Sequence, residues 1–252
     1  IIDSADDLAK IPADTTAYFK QTEALDLSKV STEGRKAYIA GTFSGVYDGN
    51  NCAITGAELP LFNYIKGTGG ADAQVKNINL TSNVGTAEAA YQADTLIIAQ
   101  SAEPPKASGA GLVANYAHQA VFSDCVISGT LYASGNTGVG SLVGHSGTIT
   151  VSGCNSSADV ISSSYGVGGL VGFCQNANWS NAFDSIKGCT ISDSTYSGTL
   201  TVSDTVKGQN PIYGGVIGVV SGAETTSNAQ VTNCSFTGTM EITAVNSNAA
   251  AG

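Results

Sequence analysis

Gly138-Val-Gly-Ser-Leu-Val-Gly144, then Thr148-Ile-Thr-Val-Ser-Gly-Cys154, is the stretch on which the fold turns. A glycine-framed apolar triplet leads into an alternating polar–apolar strand that ends on a turn former and a cysteine. Alternate residues of a strand share a face, so Cys154 and the position two beyond it point the same way. One strand with one buried face cannot fold alone. Copies of it stacked side by side can.

Copies are present. Cysteine followed two residues later by an apolar residue occurs at Cys52/Ile54, Cys125/Ile127, Cys189/Ile191 and Cys234/Phe236. Cys154 fits with Ser156 second, and Ile78/Leu80 fits with isoleucine in the cysteine place. The preceding residues, Asn51, Asn77, Asp124, Gly153, Gly188 and Asn233, all tolerate left-handed backbone. A second element, the apolar triplet, alternates with the first: Leu61-Phe62, Gly111-Leu-Val113, Ser141-Leu-Val-Gly144, Gly169-Leu-Val-Gly172 and Gly215-Val-Ile-Gly218. Two fixed strands joined by loops of uneven length predict an all-β, right-handed parallel β-helix (solenoid) with a short N-terminal helix/strand cap. Cys52, Ile78, Cys125, Cys154, Cys189 and Cys234 are its expected core column.

These triplets, with the Ser146-Gly-Thr-Ile149 turn leading to Cys154, resemble bacterial surface proteins carrying GLUG-motif repeats. Ser4-Ala-Asp-Asp-Leu8, Leu25-Asp-Leu-Ser28 and Gly41-Thr-Phe-Ser-Gly-Val-Tyr-Asp-Gly-Asn50 extend the resemblance to the N-terminal region. It implies a right-handed parallel β-helix in an exported, often wall-attached, bacterial protein.

The rest of the chain is assigned around the repeats as one domain, 1–252. Residues 1–50 form the cap, where Ser4 can cap a helix running to Ile11 ahead of Pro12. Stacked coils, about six by repeat count, span 51–245. Segments 81–108, 176–185 and 203–211 fit neither element and are expected as excursions. Within the first, Glu88 to Ala93 could form a helical turn and Thr95 to Ile98 an extra strand.

Composition agrees. Charged residues are 12% of the chain against roughly a quarter in an average domain, and glycine numbers 31. A net charge of −10 argues against nucleic acid as a partner, since the phosphate backbone requires clustered lysine and arginine. No apolar run is long enough for a membrane-spanning helix, so no membrane insertion is expected in this segment. Because Ile1 starts inside structured-looking sequence, the chain reads as a piece of a longer precursor.

Motifs of known chemistry fail on spacing. Gly138-x-Gly140 and Gly166-x-Gly168 lack the third glycine and the helix of a dinucleotide site, so no cofactor is expected. No Cys-x₂-Cys or His-Glu-x-x-His motif is present, so no metal is expected. The cysteines read best as a buried column of free thiols, with coil-to-coil disulfides as the alternative and Cys174 outside the column. His118 and His145 fall at non-equivalent places and are expected in loops or at the surface. Asp124, Asp159, Asp193 and Asp204 are scattered, whereas glycoside hydrolysis needs two carboxyls facing one cleft.

The expected function is a non-catalytic extracellular structural or adhesive module, secreted or attached to the cell surface. Its loops would meet a host or matrix protein or glycan, and the module could stack end to end into fibres. The alternative is a carbohydrate-active or carbohydrate-binding β-helix using aromatics such as Tyr116, Trp179 and Tyr213.

Overall fold

A computed structural model describes residues 1–97, 106–175, 188–203, 211–221, 229–243 and 250–251. The protein is all-β, about 55% strand and 4% helix, with parallel sheets stacked in a manner consistent with a β-solenoid.

One circuit of the middle of the chain visits four sheets in turn. Gly138–Gly140 lies in a five-stranded sheet, Val143–Ser146 in a six-stranded one and Ile149–Ser152 in a seven-stranded one. Asn155–Ser156 and Asp159–Ser163 lie in a ten-stranded sheet, and Gly166–Gly168 then returns to the first sheet beside Gly138–Gly140. Pairing between successive circuits is parallel and holds register through the middle of the stack. Among the named strand pairs, only Leu96–Ile97 with Lys106–Ala107 is antiparallel.

Register turns the sequence alternation into columns. Along the seven-stranded sheet Tyr47, Val75, Phe122, Val151 and Ile191 follow one another, all fully buried. Along the ten-stranded sheet Ile54, Leu80, Ile127, Ser156 and Tyr196 do the same. The Tyr196 ring lies against Gly169, where a β-carbon would come within 2.4 Å of it. In the later rungs the outward positions beside the first column, Thr150, Ser152, Thr190 and Ser192, carry short uncharged side chains.

The apolar triplets do more than turn the chain. A β-carbon on Gly138 would come within 2.4 Å of the Gly144 carbonyl oxygen, and one on Gly144 within 2.1 Å of the Ala110 amide nitrogen. The five- and six-stranded sheets therefore approach backbone to backbone there, closer than any side chain allows. Gly140 and Gly172 repeat the contact one circuit on.

The cysteine column needs one correction. Asn79, Val126, Asn155, Thr195 and Ser235 are paired in succession, so the residues just before them, Ile78, Cys125, Cys154, Ser194 and Cys234, share one position. Cys52 joins them ahead of the pair Ala53 and Asn79. Cys189 does not. It stands opposite Ile149 on the seven-stranded sheet, in the column of Ala73 and Ala120. The residue before each true member, Asn51, Asn77, Asp124, Gly153, Asp193 or Asn233, has positive φ. The turn former that matters is thus Asp193 and not Gly188.

Boundaries shift as well. Tyr18–Lys20 pairs with Val46–Asp48, so stacking begins inside the stretch assigned to the cap. The helix is Ala5–Ala9, with the Ser4 hydroxyl accepting from the Asp7 amide; Lys10 and Ile11 lie beyond it. Asn79–Val84 belongs to the ten-stranded sheet, so the first excursion starts after it. No helical turn forms at 88–93. Instead Tyr91 bridges to Ala133, and its hydroxyl donates to the Lys36 carbonyl at 2.7 Å while accepting from Asn115 Nδ2 at 2.8 Å. The expected extra strand is present at Leu96–Ile97. Excursion 176–185 and most of 203–211 lie outside the described residues.

Candidate functional site

Of the three aromatics expected to meet a ligand, two are inside the protein. Tyr116 is 3% exposed on Ala114–His118, and its hydroxyl donates to the Asp94 carbonyl. Tyr213 is 5% exposed and belongs to the core cluster, in the column of Val139 and Val167. Their burial takes both rings out of the surface role assigned from sequence. Trp179 lies outside the described residues.

Tyr116 is part of an aromatic row that the sequence reading missed. Register places Tyr64, Tyr116, His145 and Phe173 on successive strands of the six-stranded sheet. The Tyr64 and Tyr116 rings meet edge to face at 6.2 Å, and His145 stacks on Phe173 at 4.8 Å and 10°. Burial depresses the His145 pKa from 6.5 to about 4, so the imidazole is neutral near pH 7. His118 is also buried, and its Nδ1 accepts from the Thr148 amide at 3.3 Å. Both histidines therefore sit in strands of the interior and not at the surface. Part of the signal was present: Tyr64, His145 and Phe173 each stand three residues after Leu61, Leu142 and Leu170, whereas Tyr116 stands four after Leu112 and breaks the local offset.

The cysteines divide into two chemistries. Cys174 and Cys189 form a disulfide with α-carbons 6.3 Å apart, at the base of the excursion that carries Trp179. Cys52, Cys125, Cys154 and Cys234 are free thiols. Cys125, Cys154 and Cys234 each donate to the carbonyl two residues earlier, at 3.4, 3.5 and 3.3 Å. Ser194 makes the same bond at 2.7 Å. The Cys125 thiol is pushed well above its ordinary pKa by its hydrogen bond to Cys154 and by burial. Cys125 and Cys154 are buried and Cys52 and Cys234 half-buried, each closing a turn.

The carboxylates are equally occupied. Asp159 accepts from the Thr199 amide at 2.8 Å, and Asp193 accepts from Asn233 Nδ2 at 3.2 Å. Asp124 occupies the left-handed corner position. Asp204 lies outside the described residues.

Open binding space lies on the outer face of the seven-stranded sheet. A groove of about 390 Å³ is lined by Gly70, Asp72, Gln119, Thr148, Thr150 and Thr190, with Gly188 at the edge of the disulfide-bound excursion. Three threonines, one amide and one carboxylate offer donors and acceptors with little charge. That lining suits a neutral polyhydroxylated ligand. Hydrolysis by paired carboxyls needs a second acid facing Asp72, and Asp72 is the one carboxylate among the lining residues.

No family model, no curated protein and no solved structure matches this chain.

Proposed function

We propose that the chain is a non-catalytic extracellular scaffold: a right-handed parallel β-helix of the GLUG-repeat kind whose outer face and loops bind a matrix or host glycan or protein. The observation that carries the reading is the register. Buried residue follows buried residue from rung to rung, and short uncharged side chains point outward between them. Such stacking gives a stiff body whose stability is shared among neighbouring rungs. The groove beside Thr148, Thr150 and Thr190 supports a glycan as the ligand class. The Cys174–Cys189 disulfide supports an oxidising compartment, as expected of an exported protein.

A panel of polysaccharides and matrix proteins, scored for both retention of the protein and release of reducing ends, tests the reading. Binding without cleavage is the expected outcome, weakened when Thr150→Arg fills the groove. Release of reducing ends would establish the carbohydrate-active alternative and end the scaffold proposal.

A further inference from the structure

The groove on the outer face of the seven-stranded sheet has a direction. Ala73, Ala120, Ile149 and Cys189 are paired in succession along that sheet. Asp72, Gln119, Thr148 and Gly188 each stand one residue earlier, so they occupy one position on four successive rungs. Thr150 and Thr190, one residue after Ile149 and Cys189, pair with each other beside that row. All six line the groove. It therefore runs across the strands, along the axis of the stack, and its first and fourth rungs are about 14 Å apart at the usual strand spacing.

Main-chain groups along the floor are already used. The Ala73 amide donates to the Gln119 carbonyl at 3.0 Å, Ala120 to Thr148 at 3.4 Å and Ile149 to Gly188 at 3.4 Å. An extended peptide takes its affinity from free main-chain groups at a sheet edge, which this floor does not offer. What remains is a carboxylate, an amide and hydroxyls on the side chains. Asp72 is the one charge among the described lining residues, and a chain of net charge −10 repels an acidic polymer. The walls are formed in advance. Gln119 stands in left-handed backbone at φ +49°, and its carbonyl also accepts from the Gly67 amide at 3.1 Å. Reciprocal bonds of 3.0 and 3.1 Å close the turn from Thr68 to Ala71, and a β-carbon on Gly70 would meet nothing within 4 Å, so the wall beside Asp72 is open to a ligand.

We infer that the ligand of this groove is an extended, unbranched, neutral polysaccharide lying parallel to the stack axis, with successive sugar rings over successive rungs. The inference rests on the glycan reading of the same groove and adds to it the polymer, its charge and its direction. An equatorially linked pyranose chain repeats its rings at an interval close to the rung spacing, so each rung meets one ring. Asp72 accepts hydroxyls from the ring at one end, Gln119 and Thr150 serve the rings between, and Thr190 serves the ring at the other end.

Titration calorimetry provides the test, with neutral β-1,4-linked oligosaccharides of glucose, mannose and N-acetylglucosamine, each from one to six rings long. In the series that binds, affinity should rise by up to about tenfold with each ring, the worth of one good hydrogen bond, and level off at four rings. Thr190→Arg, at the fourth rung, should move the plateau to three rings without weakening shorter oligosaccharides. Thr150→Arg, at the third, should move it to two. Both threonines are exposed, so the circular-dichroism spectrum should hold. A plateau at one ring, or an equal loss from both variants at every length, overturns the inference and leaves a glycan-binding scaffold. Binding confined to acidic glycans or to a matrix protein, with none of the three neutral series retained, overturns it as well. Release of reducing ends removes the scaffold reading alone, and the plateau positions still decide the direction of the chain.

Discussion

Cys154 and Ser194 occupy the same position on neighbouring rungs, and the Cys154 amide donates to the Ser194 hydroxyl at 3.1 Å. Both side chains also donate to the carbonyl two residues earlier in their own strand. The position therefore selects a small side chain with a donor, and sulfur or oxygen meets the need.

Ser194→Cys should consequently change stability by less than about 1 kcal/mol, whereas Ser194→Ala should cost about 1–3 kcal/mol by removing the acceptor of the buried Cys154 amide. Urea unfolding of the two variants reads the difference. Equal midpoints would mean the column is set by size alone.

Close approach of the five- and six-stranded sheets makes a second case. Gly144→Ala drives a methyl into the backbone of Ala110, a contact of 2.1 Å that no rotamer relieves, and should cost at least about 3 kcal/mol. Gly69→Ala is the control: Gly69 has φ +62° but open space around it, so strain of about 1 kcal/mol is the whole cost. Thermal unfolding of both separates close packing from backbone conformation.

Thiol counting tests the disulfide. In denaturant without reductant, four cysteines should react with a thiol reagent and six after reduction, in line with four free thiols and the Cys174–Cys189 pair. Cys174→Ser with Cys189→Ser releases a loop of sequence separation 15 and should lower stability by about 3 kcal/mol. Six reactive thiols before reduction would remove the bond, and with it one support for an extracellular location.

His145 gives the stability a pH dependence of definite sign. Its pKa is about 4 when folded and 6.5 when free, so between those values the unfolded chain binds the extra proton. The contribution is complete above pH 6.5, declines as the pH falls and is gone near pH 4, roughly 3 kcal/mol in all. His145→Phe extends the stack on Phe173 and should flatten that part of the curve. An unchanged slope would show that the imidazole stays solvated.

Legibility followed the range of the interaction. The Ser4 cap, the turn residues Asn77 and Asp124, and the alternating strands depend on neighbours a few residues away, and they stand where the sequence put them. Cys189 was misplaced because the local pattern of cysteine followed by an apolar residue occurs on two sheets. A better signal was present: Ser123, Ser152, Ser192 and Thr232 each stand two residues before a true column member, and the last two rungs repeat at a separation of 40. Tyr116 and Tyr213 looked like surface aromatics because nothing local marks a strand position as covered. Their burial is decided by Asp94 and by the neighbouring strands of the five-stranded sheet.

Sequence by itself determined that this protein is built of short parallel strands with glycine-framed triplets, since periodicity and turn chemistry are local properties of the chain. Only the tertiary structure decided which copy sits on which: Ser194 and not Cys189 in the column, Cys174 bonded to Cys189, and Tyr116 and Tyr213 inside. Those outcomes depend on pairing across 15 to 40 residues of chain. Loop length sets that register, and no residue of the motif Gly138-Val-Gly-Ser-Leu-Val-Gly144 encodes it.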